Sequence, residues 1–129
     1  MKLVRVGAPG QERPGLIDGE GRIRDLSGVI DDVAGEHITN AGLDKLRALD
    51  VSTLPLLDGE LRYGAAVGQI GKFICVGLNY ADHAAESGMD VPKMPILFMK
   101  ATTAVTGPND TVIIRAARSR ATGKWNWAW

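Results

Sequence analysis

A single cysteine, Cys75, leaves the chain without a partner for an intrachain disulfide. Its place in the apolar run Phe73-Ile-Cys-Val76 suggests a buried thiol in a reducing compartment. Charge of one sign is also lacking: 15 basic and 15 acidic residues cancel, so no global field draws nucleic acid or an anionic membrane. No apolar run approaches the roughly 18 residues of a membrane span, and Met1-Lys-Leu-Val-Arg-Val6 is too short and too charged for a signal peptide. The expected location is therefore the cytoplasm. Internal repeats and low-complexity tracts are absent. Histidine is scarce, and His37 stands alone in a polar region where a surface imidazole is the plainer reading than a metal ligand.

What is present is ordinary for a globular protein. At 129 residues, 45% hydrophobic and 23% charged, the chain has room for one modest domain, or for a small domain and part of another. Residues 1–26 predict small antiparallel β-structure. Lys2-Leu-Val-Arg-Val6 alternates, Pro14-Gly-Leu-Ile17 is a second short strand, and Asp18-Gly-Glu-Gly21 turns into Arg22-Ile-Arg-Asp-Leu26. Val29–Val33 reads as a further segment started by Ser27 or Asp31. Thr39 or Asn40 is placed to cap a helix over 41–49, where Leu43, Leu46 and Leu49 recur at helical spacing. Residues 51–68 carry Pro55, Gly59, Gly64 and Gly68 among leucines, which suggests a connection to a second domain whose apolar residues need cover.

The densest signal lies in 72–114. Lys72-Phe-Ile-Cys-Val-Gly77 is too continuously apolar for a half-exposed strand and is expected to be covered on both faces. Gly77 and Asn79 suit a turn that needs positive φ. A short helix follows, carrying His83 and Glu86 three residues apart and ending near Gly88. At that spacing two side chains share a helix face, so a carboxylate can orient an imidazole and raise its basicity, as a water-activating base requires. Two polar residues on a solvated face are the bland alternative. Pro95–Met99 predicts a second buried strand, with Lys100 and Thr102-Thr103 directly after it. Lys100 either binds an anion or snorkels to water. Gly107–Asp110 is a turn, and Thr111–Ile114 a final strand.

Gly77-Leu-Asn-Tyr-Ala-Asp-His-Ala-Ala-Glu86, Pro95-Ile-Leu-Phe-Met-Lys-Ala-Thr-Thr-Ala104 and Gly107-Pro-Asn-Asp110 together resemble the fumarylacetoacetate hydrolase superfamily. Its bacterial members act on 2,4-diketo acids and similar compounds, and some are ureidoglycolate lyases. The resemblance is strong over 62–114, fainter over 1–58, and stops at Arg115. It implies a β-rich α+β fold, with a small N-terminal domain (1–64), the beginning of a catalytic domain (65–114) and a divergent tail (115–129). By motif position it implies His83 and Glu86 as the water-activating pair and Lys100 and Thr103 as pocket-wall residues. Leu78 stands where some relatives carry an arginine for a substrate carboxylate. The family binds a divalent cation, usually Mg²⁺ (or Mn²⁺ or Ca²⁺), through a Glu-x-Glu pair and a downstream aspartate, suited to a hard ion. Those ligands would lie beyond residue 114. Asp82, Asp90 and Asp110 do not have ligand spacing. The implied partners are a small oxo-acid substrate and, for full-length relatives, a second subunit, with neither nucleic acid nor membrane.

The tail breaks with what precedes it: Arg115–Trp129 holds all three tryptophans and no acidic residue. Read literally, arginines on phosphates with tryptophans stacking on bases would make a small nucleic-acid-binding domain, or an amphipathic surface segment. The genetic code supplies another reading. Gly123–Trp129 can be written GGG-AAG-TGG-AAC-TGG-GCG-TGG. Regrouped by one base behind a Thr122 codon ending in T, this becomes Trp-Glu-Val-Glu-Leu-Gly-Val, which resembles the family's Glu-x-Glu motif. With one C restored, ATC-CGC-GCG-GCT-CGN for residues 114–118 becomes Ile-Pro-Arg-Gly-Ser, a natural continuation. A single-base deletion near codon 115 is therefore expected to have put the tail out of frame, leaving a truncated chain without metal or activity.

Overall fold

The computed structural model describes residues 1–113. Strands β1 (Lys2–Val6), β2 (Arg13–Ile17) and β3 (Ile23–Asp25) form an antiparallel sheet in that order. Pro14 is tolerated in the central strand because it sits near the strand's start, where β3 has already ended; there its carbonyl accepts from Leu26 N–H. The Asp18–Gly21 turn is built on the Asp18 carboxylate, which accepts from the Glu20 and Arg22 N–H groups and from the Arg22 and Arg24 guanidiniums. Burial pushes this carboxyl up, but those donors together hold it well below the usual range.

Helix α1 (Asn40–Arg47) starts where the sequence placed it, with Thr39 Oγ1 accepting from Gly42 N–H at 3.2 Å. Lys45 and Arg47 occupy the last turn, where the helix dipole favours cations. Leu46 packs into a core of Leu16, Leu26 and Ile30, flanked by half-buried Leu3, Leu49, Val51 and Leu54. Val29–Val33 forms no helix or strand. Ile30 and Val33 are instead buried within turns that lead to a 3₁₀ turn over Gly35–Ile38, which the sequence did not signal.

The connection 51–68 is part of this unit. Leu56 bridges to Arg24 on one edge of the sheet and Tyr63 to Val6 on the other. Backbone hydrogen bonds from Gly7 to Arg62 and from Gly64 to Arg5 fasten the second crossing. The segment thus runs along both edges of the sheet, but its apolar residues gain only partial cover: Leu54, Leu57 and Leu61 are half-buried, while Leu56 and Val67 stay exposed.

Strands β4 (Phe73–Gly77) and β5 (Ile96–Lys100) pair antiparallel, with helix α2 (Ala81–Glu86) between them. Cys75 is buried, as its sequence context suggests. Cover on both faces is not observed among the described residues. Ile74, Val76, Leu97 and Met99 share one face and all are exposed, Leu97 by 65% and Met99 by 66%. Positive φ falls on Leu78 (48°), not on Gly77 or Asn79. Gly77 is still paired with Ile96 in the strand, so the turn begins one residue later. Gly88 does stop α2, at φ 64°, with its N–H on the Ala85 carbonyl. Residues 111–113 are not a strand; residue 114 and the tail lie outside the described residues.

Candidate functional site

Helix α2 raises His83 and Glu86 from the turn that leaves β4. Both belong to the same six-residue helix, His83 half-buried and Glu86 exposed. Among the described residues no hydrogen bond or ion pair joins them, so the pair shares an element without being locked together. Leu78, just before the helix, holds a backbone conformation that non-glycine residues rarely adopt.

Lys100 ends β5 with its ammonium 5.7 Å from the centre of the Phe73 ring, a cation–π placement on the hairpin face opposite Leu97 and Met99. The chain then enters a 3₁₀ turn, Thr102–Ala104. Thr103 lines a cleft of about 470 Å³ with Thr102, Arg5, Glu12, Arg62 and Asp110; His83, Glu86 and Lys100 are not among its lining residues. The four candidates therefore divide into a helix pair, a strand-end cation and a cleft threonine.

The cleft is organised by charges the sequence did not single out. Arg62 donates to both Asp110 carboxylate oxygens, at 2.6 and 2.5 Å, to Glu12 at 2.9 Å and to the Gly7 carbonyl at 3.0 Å. Arg5 pairs with Asp32 at 2.6 Å. The Arg62 guanidinium holds the Asp110 and Glu12 carboxyls below their ordinary values, and they raise its own. Asp110, read from the sequence as a turn residue, is that too: it also accepts from Gly107 N–H at 2.7 Å. Sequence separations of 48 and 50 residues left no local signal for these pairings.

An antiparallel N-terminal sheet followed by a helix-bearing apolar hairpin defines a β-rich α+β chain. Residues 72–126 match the family model described as fumarylacetoacetate (FAA) hydrolase, C-terminal. A protein named "Putative hydrolase" from Burkholderia multivorans is 60% identical over 114 residues, covering 88% of this chain and 40% of the relative. A Burkholderia cenocepacia protein of similar name matches at the same identity and coverage. The crystal structure of a "putative HpcE protein" from Mycobacterium smegmatis superposes with a TM-score of 0.63 at 27% identity, covering 90% of this chain and 41% of that one. The chain is thus similar to the fumarylacetoacetate hydrolase family over 72–126, and over 114 residues to proteins whose names read "Putative hydrolase". It spans about 40% of the length of the curated relatives it matches. No helix among the described residues is long and apolar enough to cross a membrane.

Proposed function

We propose that this chain is the leading portion of a metal-dependent hydrolase or lyase that cleaves a C–C bond in a 2,4-diketo acid or related small oxo-acid, and that as written it is inactive. The observation that carries the reading is the 60% identity to hydrolase relatives over 114 residues, with His83 and Glu86 on one helix in the segment matched to the family. In the hydrolytic case His83 takes a proton from water and the resulting hydroxide adds to the acyl carbonyl. The adjacent C–C bond then breaks to give a carboxylate and an enolate, which is reprotonated. Glu86 supports the imidazolium formed, and Thr103 contributes to the cleft wall, while Lys100 acts from the end of β5 outside that cleft.

The divalent cation of the family would supply Lewis-acid polarisation of the oxo-acid oxygens, worth several kcal/mol of barrier. Among the described residues no group of three or more His, Cys, Asp or Glu converges to hold it, so residues 1–113 do not fit the ion and no step through it belongs to them. The relatives match over 114 of the 129 residues, and the family match runs to residue 126; the change of frame near codon 115 rests on the codon regrouping alone.

The test has two parts. Resequencing the gene shows whether Ile114–Arg118 is encoded by codons that regroup, with one base restored, to Ile-Pro-Arg-Gly-Ser; different codons in an intact frame end the idea. The frame-restored protein with Mg²⁺ is then assayed on a 2,4-diketo acid by loss of enol absorbance. Turnover that falls about 10²–10⁴-fold in His83→Ala is expected for loss of a general base. Full activity in that variant refutes the assignment.

A further inference from the structure

We propose that the cleft between the end of the β1–β2 pair and the last turn of α1 binds a small monocarboxylate with an apolar body, of the medium-chain fatty-acid kind. The cleft has a volume of about 620 Å³. That lies within the roughly 300–1,000 Å³ of small-molecule sites, which are mostly apolar with a few placed polar groups. The register of the sheet sets Lys2 opposite Ile17, so a cation stands at the strand end beside the Asp18 turn. From the other side α1 brings Leu46 and Arg47, and the 3₁₀ turn Val51–Thr53 that follows contributes Val51. Leu16 and Leu46, each 3% exposed, supply an apolar floor, and half-buried Ile17 and Val51 add apolar wall.

The ligand's charge follows from the rim. Lys2 and Arg47 are both exposed, and Lys2 has no ion-pair partner among the described residues. Arg47 meets Asp44 at 2.7 Å on its own helix, with the two side chains 59% and 72% exposed. Such a surface pair is worth little, so the guanidinium can exchange it for a carboxylate held by two parallel hydrogen bonds. Among the described residues Asp18 is the one acidic member of the lining. Its oxygens already accept from Arg24 at 3.0 Å, from Arg22 at 3.2 Å and from two backbone N–H groups, so it does not leave the rim negative. An uncharged apolar guest would leave both cations unanswered, and a short acid would leave the apolar floor wet; a carboxylate with an apolar tail satisfies both. His83, Glu86, Lys100 and Thr103 do not line this cleft, so the inference stands apart from the catalytic reading.

To test it, octanoate is titrated into the 129-residue chain, with methyl NMR spectra reporting where it binds. Saturable binding below the micellar concentration is expected, with shifts centred on Leu16, Leu46 and Val51. Lys2→Gln combined with Arg47→Gln should weaken it about 5-fold or more through loss of two rim charges. Lys72→Gln combined with Lys93→Gln makes the same change in net charge at exposed positions outside the cleft and should leave binding unchanged. Circular dichroism of both double variants should match the parent, since all four side chains are exposed. Added salt should weaken the octanoate complex. Octanol and acetate should each bind about 5-fold or more weakly than octanoate, since each lacks one of the two attractions. Octanol binding as well as octanoate would mean that the cations take no part, and acetate binding as well would mean that the apolar floor takes none. Shifts centred on Val76 and Leu97 would mean that octanoate merely coats the exposed hairpin face. Any of these results, the absence of saturable binding, or a Lys2 and Arg47 double variant that binds like the parent overturns the proposal.

Discussion

Leu26→Ala and Leu97→Ala should separate the two halves of the chain by stability. Leu26 has no solvent exposure and lies in the core with Leu16, Ile30 and Leu46. Truncating a buried leucine removes its transfer free energy and leaves a cavity, together about 2.7–5 kcal/mol in well-packed cores. Here several neighbours (Leu3, Leu49, Val51 and Leu54) are only half-buried and can relax into the space. The expected loss is therefore nearer the lower end, about 3 kcal/mol. That is a large share of the roughly 5–15 kcal/mol typical of a whole domain. Leu97 is 65% exposed, and its truncation should stay within about 0.5 kcal/mol. Urea unfolding of the isolated chain, followed by far-UV circular dichroism, reads both: the Leu26 variant shifts its midpoint at constant slope, and the Leu97 variant does not. Equal losses would mean that the hairpin face is covered in solution, which would refute the reasoning about where stability resides.

Acidification should destabilise the chain through its paired carboxylates. Glu12 and Asp110 titrate below their ordinary values of 4.5 and 3.8 because Arg62 hydrogen-bonds to them. Their contribution is thus fully present above about pH 4.5 and is lost as pH falls through the lowered folded values. Arg62→Met should flatten that acid limb in melting curves, and an unchanged limb would place the dependence elsewhere. Gly42→Ala should cost about 2 kcal/mol or more despite the better helix propensity of alanine, because its Cβ would run into the Glu36 and His37 carbonyls; Gly28→Ala, in open space, should be neutral or slightly stabilising. Gly77→Ala should be mild, since a Cβ there meets the Ile96 side chain at an ordinary 3.4 Å. Gly88→Ala should lose about 1 kcal/mol, because φ is +64° there; melting temperatures that rank the two the other way would contradict this.

Much of the local structure was legible because it is encoded locally. The alternation of Lys2–Val6, the Asp18–Gly21 turn, the Thr39 cap with its Leu43-Leu46-Leu49 spacing, and the Gly88 stop each depend on neighbours within a few residues. The motifs around His83 and Lys100 carried the family as well. What the chain's order could not convey was decided by distance in space. Arg62 meets Asp110 and Glu12 only after residues about 50 apart are folded together. The connection 51–68 shows its role only once both sheet edges exist for Leu56 and Tyr63 to reach. The turn after β4 moves its positive φ to Leu78 because Gly77 stays paired with Ile96. Composition alone made Phe73–Gly77 read as covered on both faces. Burial, however, is a property of what packs against a strand, and among residues 1–113 nothing covers the side formed by Ile74, Val76, Leu97 and Met99.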